Sequence, residues 1–187
     1  MAGFNKQALD YATGSQLALM GQDTSGTSAI ASTLPSRTVL GSTVTVSSGQ
    51  TDGQAVYLVA GQVISNLTFR CGTASSGLTN WWLNITNSTY VVQASTADQG
   101  ATQITGGRKT IALTAAWTVP TTGVYYFTLT QIGTTPAVLN GASTTATPAL
   151  DPPAMVWGVN GQTSIPAVGY TYSGLVSTTN TIWIIAT

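Results

Sequence analysis

From Thr38 onward, apolar and polar side chains alternate with a period of two and hardly pause before the last residue. Such alternation puts one set of side chains on each face of an extended strand. It is plainest over 109–119, where Ile111, Leu113, Ala115, Trp117 and Val119 take the odd positions and Thr110, Thr114 and Thr118 even ones. Val119-Pro120-Thr121-Thr122-Gly123 then breaks the pattern. Proline fixes φ and lacks an amide donor, while glycine reaches the left-handed conformation that lets the chain re-enter a strand. The pattern resumes over 124–132, with Tyr125, Phe127 and Leu129 on one face and Val124, Tyr126, Thr128 and Thr130 on the other. The two runs predict an antiparallel hairpin, and a lone hairpin is not stable in water, so further strands must cover it.

Those strands are predicted near 43–47, 54–60, 63–71, 80–86, 89–94, 154–159, 169–173 and 181–186, separated by turns rich in Gly, Ser, Thr and Asn. Strands at this spacing, with no helix-period segment after residue 20, predict an all-β antiparallel sandwich of jelly-roll type over 38–187. The stretch 133–153, with Pro136, Pro148, Pro152 and Pro153, is expected to be irregular. Residues 1–37 differ. Short helical turns fit 5–12, Gly14 interrupts them, and 21–28 has the composition of a linker. No core can come from this segment, yet it carries Phe4, Leu9, Tyr11, Leu17, Leu19 and Met20. An extended N-terminal arm that orders against a neighbouring protein accounts for those apolar side chains better than a floppy tail does.

Composition changes the picture most through charge. Charged residues make up 5% of the 187, five basic balancing five acidic, against roughly 25% in an ordinary soluble domain. A neutral surface built from Thr, Ser, Asn, Gln and Gly gives little colloidal repulsion, which suits a chain that lives inside a larger assembly. No basic patch is available for phosphates, so nucleic acid is not an expected partner. No apolar run reaches the roughly 18 residues of a membrane span, and residues 1–4 open no secretory signal. Five Trp and seven Tyr argue against disorder. The single Cys71 shares a face with Leu67 and Phe69 and is expected to be a small buried hydrophobe.

Catalysis is not expected. The chain has no His and no Glu, so triads and zinc sites lack their ligands. Of the five aspartates, Asp10 and Asp23 fall in the arm, and Asp52, Asp98 and Asp151 fall in turn-like contexts where a carboxylate commonly caps its own backbone. No Asp-rich loop points to calcium, and neither a metal nor a cofactor is implied. Asn66, Asn84 and Asn87 begin glycosylation sequons, expected by chance in so Thr-rich a chain. Aromatic residues are the remaining candidates for a subunit interface or for stacking on sugar rings: Trp81, Trp82, Tyr126, Trp157, Tyr170 and Tyr172. Trp81 and Trp82 are adjacent on a strand, so one is expected in the core and the other at solvent, a ligand or a neighbour.

The run Trp117-Thr118-Val119-Pro120-Thr121-Thr122-Gly123-Val124-Tyr125-Tyr126-Phe127 resembles a segment of trimeric jelly rolls of the complement and tumour-necrosis-factor type, and of bacterial carbohydrate-binding sandwiches. A longer series runs from Trp82-Leu83-Asn84-Ile85 through 90–98 and the predicted hairpin to Thr135-Pro136-Ala137-Val138-Leu139-Asn140-Gly141. It is similar to jelly-roll domains in structural proteins of tailed bacteriophages infecting actinobacteria, where such a domain follows a short N-terminal arm. The resemblance implies a non-enzymatic virion protein, assembled in the host cytoplasm and displayed as a homo-oligomer, with a trimer favoured. A capsid decoration or head-fibre protein anchored by its arm to the major capsid protein, or to tail or portal-region proteins, is the first expectation. A carbohydrate-binding receptor module of a tail fibre or minor tail protein, taking a host surface glycan, is the alternative.

Overall fold

The structure, a computed structural model, describes residues 29–33, 42–143, 154–176 and 178–187. Its strands are Ala31–Ser32 (β1), Ser42–Thr45 (β2), Thr51–Leu58 (β3), Val63–Thr73 (β4), Ser76–Asn87 (β5), Val92–Ser95 (β6), Gly107–Thr118 (β7), Gly123–Thr135 (β8), Val138–Ser143 (β9), Val156–Val159 (β10), Asn180–Ile182 (β11) and Ile184–Ala186 (β12). No helix occurs among the described residues. The strands form two antiparallel sheets. One has seven strands, in the order β1-β12-β4-β9-β11 with β2 on β9 and β7 on β4; the other has five, in the order β10-β3-β8-β5-β6.

Alternation decides which side chains meet between the sheets. Leu67, Phe69 and Cys71 of β4, with Ile182, Ile184 and Ala186, face Leu83 and Ile85 of β5 and Tyr125, Phe127 and Leu129 of β8 in one buried cluster. Phe69 and Trp81 meet edge to face across the gap, ring centroids 5.9 Å apart. Each such Leu, Ile or Phe contributes about 1.5–3 kcal/mol through its removal from water. Cys71 is buried there as expected, its Sγ on the Thr73 carbonyl at 3.1 Å, and burial pushes its thiol pKa up.

The predicted hairpin over 109–132 does not form. β7 pairs with β4, whereas β8 lies between β3 and β5 in the other sheet. The end of β7 is tied to the β3–β4 turn, with Val119 N donating to Gln62 O at 2.8 Å and Gly61 N to Val119 O at 2.9 Å. Pro120 therefore turns the chain across the sandwich instead of back along the same sheet. β8 carries large side chains on both faces, and it takes a central position where both faces are covered. β7 also departs from clean alternation. Between the pairs Ile64↔Trp117 and Asn66↔Ala112 its register shifts, leaving Leu113 buried but Ala115 exposed. At this bulge Leu113 bridges to Thr96, and Thr114 Oγ1 donates to Ser95 O at 3.0 Å, so β7 is stitched to the edge of the five-stranded sheet.

Three further expectations change. The stretch read as irregular contains the end of β8 and all of β9, with Pro136 in the turn between them where its missing donor costs nothing. Residues 169–173 make only a single bridge, Val91↔Thr171, instead of a strand. The sandwich also begins before residue 38: β1 pairs with β12 through Ala31↔Ala186 and Ser32↔Ile185, and Thr33 Oγ1 donates to Ile182 O at 2.6 Å. Phe4, Leu9, Tyr11, Leu17, Leu19 and Met20 lie outside the described residues.

Candidate functional site

The five-stranded sheet has a second buried face. On its outer side Val92, Tyr126, Trp157, Val159 and Tyr172 form a separate cluster, with Tyr90 and Val124 packed against it. Trp157 of β10 stands opposite Gly53 of β3. A Cβ at Gly53 would meet the indole at 2.3 Å, so the missing side chain is what lets the ring lie flat across the sheet. Tyr90, Tyr126 and Tyr172 surround that ring, with centroids 5.4, 5.9 and 5.2 Å away.

The segment after β10 encloses this layer. Gly169 N and Val92 N exchange bonds with the Val92 and Tyr170 carbonyls at 2.8 Å, placing 169–172 on the outer edge of β6. Gly158 and Val176 exchange bonds at 2.9 and 2.8 Å, placing Val176 on the outer edge of β10. In a flat sheet those two added edges would stand roughly 29 Å apart, six spacings of about 4.8 Å. Tyr172 and Val176 are four residues apart, a reach of at most about 14 Å. The sheet is therefore rolled around its outer face, and Tyr172 is the side chain that plugs the roll.

Tyr172 OH accepts from Asn84 Nδ2 at 2.8 Å, and burial pushes its phenol up to about 12. Burial, with Tyr90 beside it, raises the Tyr126 phenol further still. Asn84 Oδ1, Thr86 Oγ1 and Trp157 Nε1 have no hydrogen-bond partner among the described residues. Ring packing, more than hydrogen bonding, holds this layer together.

Four of the six aromatic candidates, Tyr126, Trp157, Tyr170 and Tyr172, thus touch one another, and Trp82 shares their sheet face. Trp81 lies on the opposite face in the main core, its Nε1 donating to Thr102 O at 2.7 Å. The expectation that one of Trp81 and Trp82 reaches solvent is wrong: they are 2% and 0% exposed, because this sheet is covered on both sides. Tyr126, Trp157 and Tyr172 are equally closed to a glycan; only Tyr170, at 44%, offers a free ring.

No protein-family model and no curated protein matches the chain.

An open cleft of about 270 Å³ lies where the β5–β6 turn meets the β7–β8 crossing, lined by Asn87, Ser88, Gln93 and residues 120–125. Its geometry is fixed from the turn. Asn87 Oδ1 accepts from Thr89 N, Thr89 Oγ1 and Val91 N at 2.9–3.0 Å. Tyr90 adopts φ 64°, the one non-glycine in the left-handed region among the described residues. That conformation is costly for a bulky side chain, and contacts of the Tyr90 ring with Tyr126 and Trp157 hold it. Gln93 Nε2 donates to Val91 O at 3.2 Å. Tyr57, 65% exposed, stands directly across the β3–β8 ladder from Val124, one of the lining residues.

The two described aspartates, Asp52 and Asp98, share no hydrogen-bond partner. Asp98 behaves as a turn capper: Oδ1 accepts from Gly100 N at 2.9 Å and from Trp81 N at 3.2 Å, and Oδ2 from Asn80 Nδ2 at 2.7 Å. Asp52 is not in a turn but inside β3, fully buried, accepting from Gln50 Nε2 at 2.7 Å. Asp151 lies outside the described residues. Of the sequons, Asn84 is 0% exposed and unavailable for modification. Sequence reading missed Asn87 and Gln93 as cleft residues. Alternation sorts side chains between two faces, but it cannot reveal that a turn and a crossing meet in a cleft.

Proposed function

We propose that the chain is a non-enzymatic structural protein of a virus particle, a capsid decoration or head-fibre protein of jelly-roll type displayed as a homotrimer. The observation that carries the proposal is how the N-terminal segment joins the sandwich. Ala29 is buried against Trp183 and Ile185, and β1 forms the outermost strand beside β12. A pull on the preceding residues is therefore delivered to a sheet edge whose neighbour, β12, is paired on its other side to β4. That suits an anchor. The residues before it hold Phe4, Leu9, Tyr11, Leu17, Leu19 and Met20 and little charge, a composition that gains by burial against a partner such as a major capsid or portal-region protein. Tyr57, Met155 and Val168, each more than 60% exposed, add apolar surface of the kind that subunit interfaces use.

Removal of residues 1–28 is the decisive experiment, with the cut placed before Ala29 because Ala29, β1 and Thr33 belong to the sandwich. The shortened chain is expected to keep its thermal midpoint within a few degrees while losing co-sedimentation with shells assembled without this protein. Equal sedimentation of both forms would overturn the anchor. A full-length protein that stays monomeric and binds no shell would overturn the assembly role altogether.

A further inference from the structure

We propose that the cleft between the β5–β6 turn and the β7–β8 crossing binds one neutral sugar residue. Three observations converge on that chemistry. First, the lining carries no charge: it consists of two carboxamides, three hydroxyls, Pro120, Gly123, Val124 and Tyr125. A charged ligand would find no counterion there, and an apolar one would desolvate amides and hydroxyls without return. A neutral polyhydroxyl ligand fits both restrictions.

Second, the amides are held in place. Asn87 Oδ1 is occupied by three bonds from its own turn, which leaves the Nδ2 hydrogens to donate. Gln93 Nε2 is occupied by Val91 O, which leaves Oε1 to accept. A fixed donor and a fixed acceptor in one cleft complement hydroxyl groups, each of which can both accept and donate. The left-handed Tyr90 keeps the turn in that shape, so ordering is done before a ligand arrives. Third, the space is small. At about 270 Å³ the cleft falls just below the usual range for small-molecule sites, roughly 300–1,000 Å³, and takes a single residue, such as the terminus of a surface glycan, in preference to a longer chain.

The test is a nitrogen-15 NMR titration of the full chain. D-glucose, D-galactose, D-mannose and N-acetylglucosamine are each added to roughly 50 mM, beyond a millimolar dissociation constant, with sodium glucuronate as the charged control. At least one neutral sugar should shift the side-chain amides of Asn87 and Gln93. Gln93→Ala should weaken that sugar about tenfold, the scale of one hydrogen bond, whereas Tyr57→Ala, on the other face of the sheet from Asn87, should leave its binding unchanged. Both positions lie outside the buried cores, so the amide spectrum of each variant should otherwise be unchanged. No shift with any sugar, binding that is not weakened in Gln93→Ala, or tighter binding of glucuronate than of glucose would each overturn the site. Binding is read on the isolated protein, so its failure is distinguishable from failure of particle attachment.

Discussion

Trp157→Ala is expected to remove about 3–5 kcal/mol of stability, the range for truncating a fully buried large aromatic side chain. Total stabilities of roughly 5–15 kcal/mol make that a large share, readable as a drop of about 6–20 °C in the thermal midpoint for a chain of this size. The indole is 0% exposed and touches the rings of Tyr90, Tyr126 and Tyr172. Its loss opens a cavity under the rolled sheet and also releases the contact that holds Tyr90 at φ 64°. The reciprocal change separates packing from general fragility. Gly53→Ala places a methyl where the indole lies, 2.3 Å from Cε2, and a ring hemmed in by three others cannot retreat. It should cost about 1–3 kcal/mol or more. In the double variant the methyl occupies part of the space the indole vacated, so the combined loss should fall short of the sum by at least about 1 kcal/mol. Urea unfolding of the four proteins measures this directly. Strict additivity, or a neutral Gly53→Ala, would falsify the close approach of β10 to β3.

The same pair shows where sequence reasoning stops. Alternation located most of the strands because it is a property of each strand alone, and it correctly put Leu67, Phe69 and Cys71 on one face. Partner choice is not local. Nothing in 109–132 distinguishes a turn that returns along the same sheet from one that crosses to the other; the difference lies in the bonds from Val119 to Gly61 and Gln62. Nor does the sequence around Trp82 tell that its face is roofed. That depends on residues 160–176, an irregular segment whose only regular contacts are single bridges to Val91 and Gly158. Tyr126, Trp157, Tyr170 and Tyr172 were recognisable as a group by residue type. The burial of Tyr126, Trp157 and Tyr172 followed from how far four residues can reach between two sheet edges, a constraint that appears only once both edges are known.

Stability should fall as pH rises from about 4 to 7, and Asp52 is the cause. Burial raises its carboxyl from 3.8 to about 6, with the bond from Gln50 and the nearby polar groups of Asn180 and Thr178 offsetting part of the effect. The folded chain thus prefers the protonated acid. Its favourable contribution is fully present below about pH 3.8, the unfolded value, and is lost as pH passes through about 6. A gap of roughly two on the pH scale corresponds to about 3 kcal/mol. Few other groups obscure it: the chain has no histidine and no glutamate, so little else changes charge between pH 5 and 8. Asp52→Asn keeps an oxygen for Gln50 and removes the charge. The variant should be more stable than the parent by about 2–3 kcal/mol at pH 8, indistinguishable near pH 4, and nearly flat between. The effect should also be local at first. The position of a Cβ on Gly158 is 3.1 Å from Asp52 Oδ1 and 3.4 Å from Val176 Cγ2, so the carboxylate sits beneath the bridge that closes the rolled sheet. Amide exchange at Gly158 and Val176 should accelerate from pH 5 to pH 8 beyond the intrinsic rate in the parent and not in Asp52→Asn. A parent whose stability climbs over that interval, or a variant with no advantage at pH 8, would show that the carboxylate is better solvated than its place inside β3 allows.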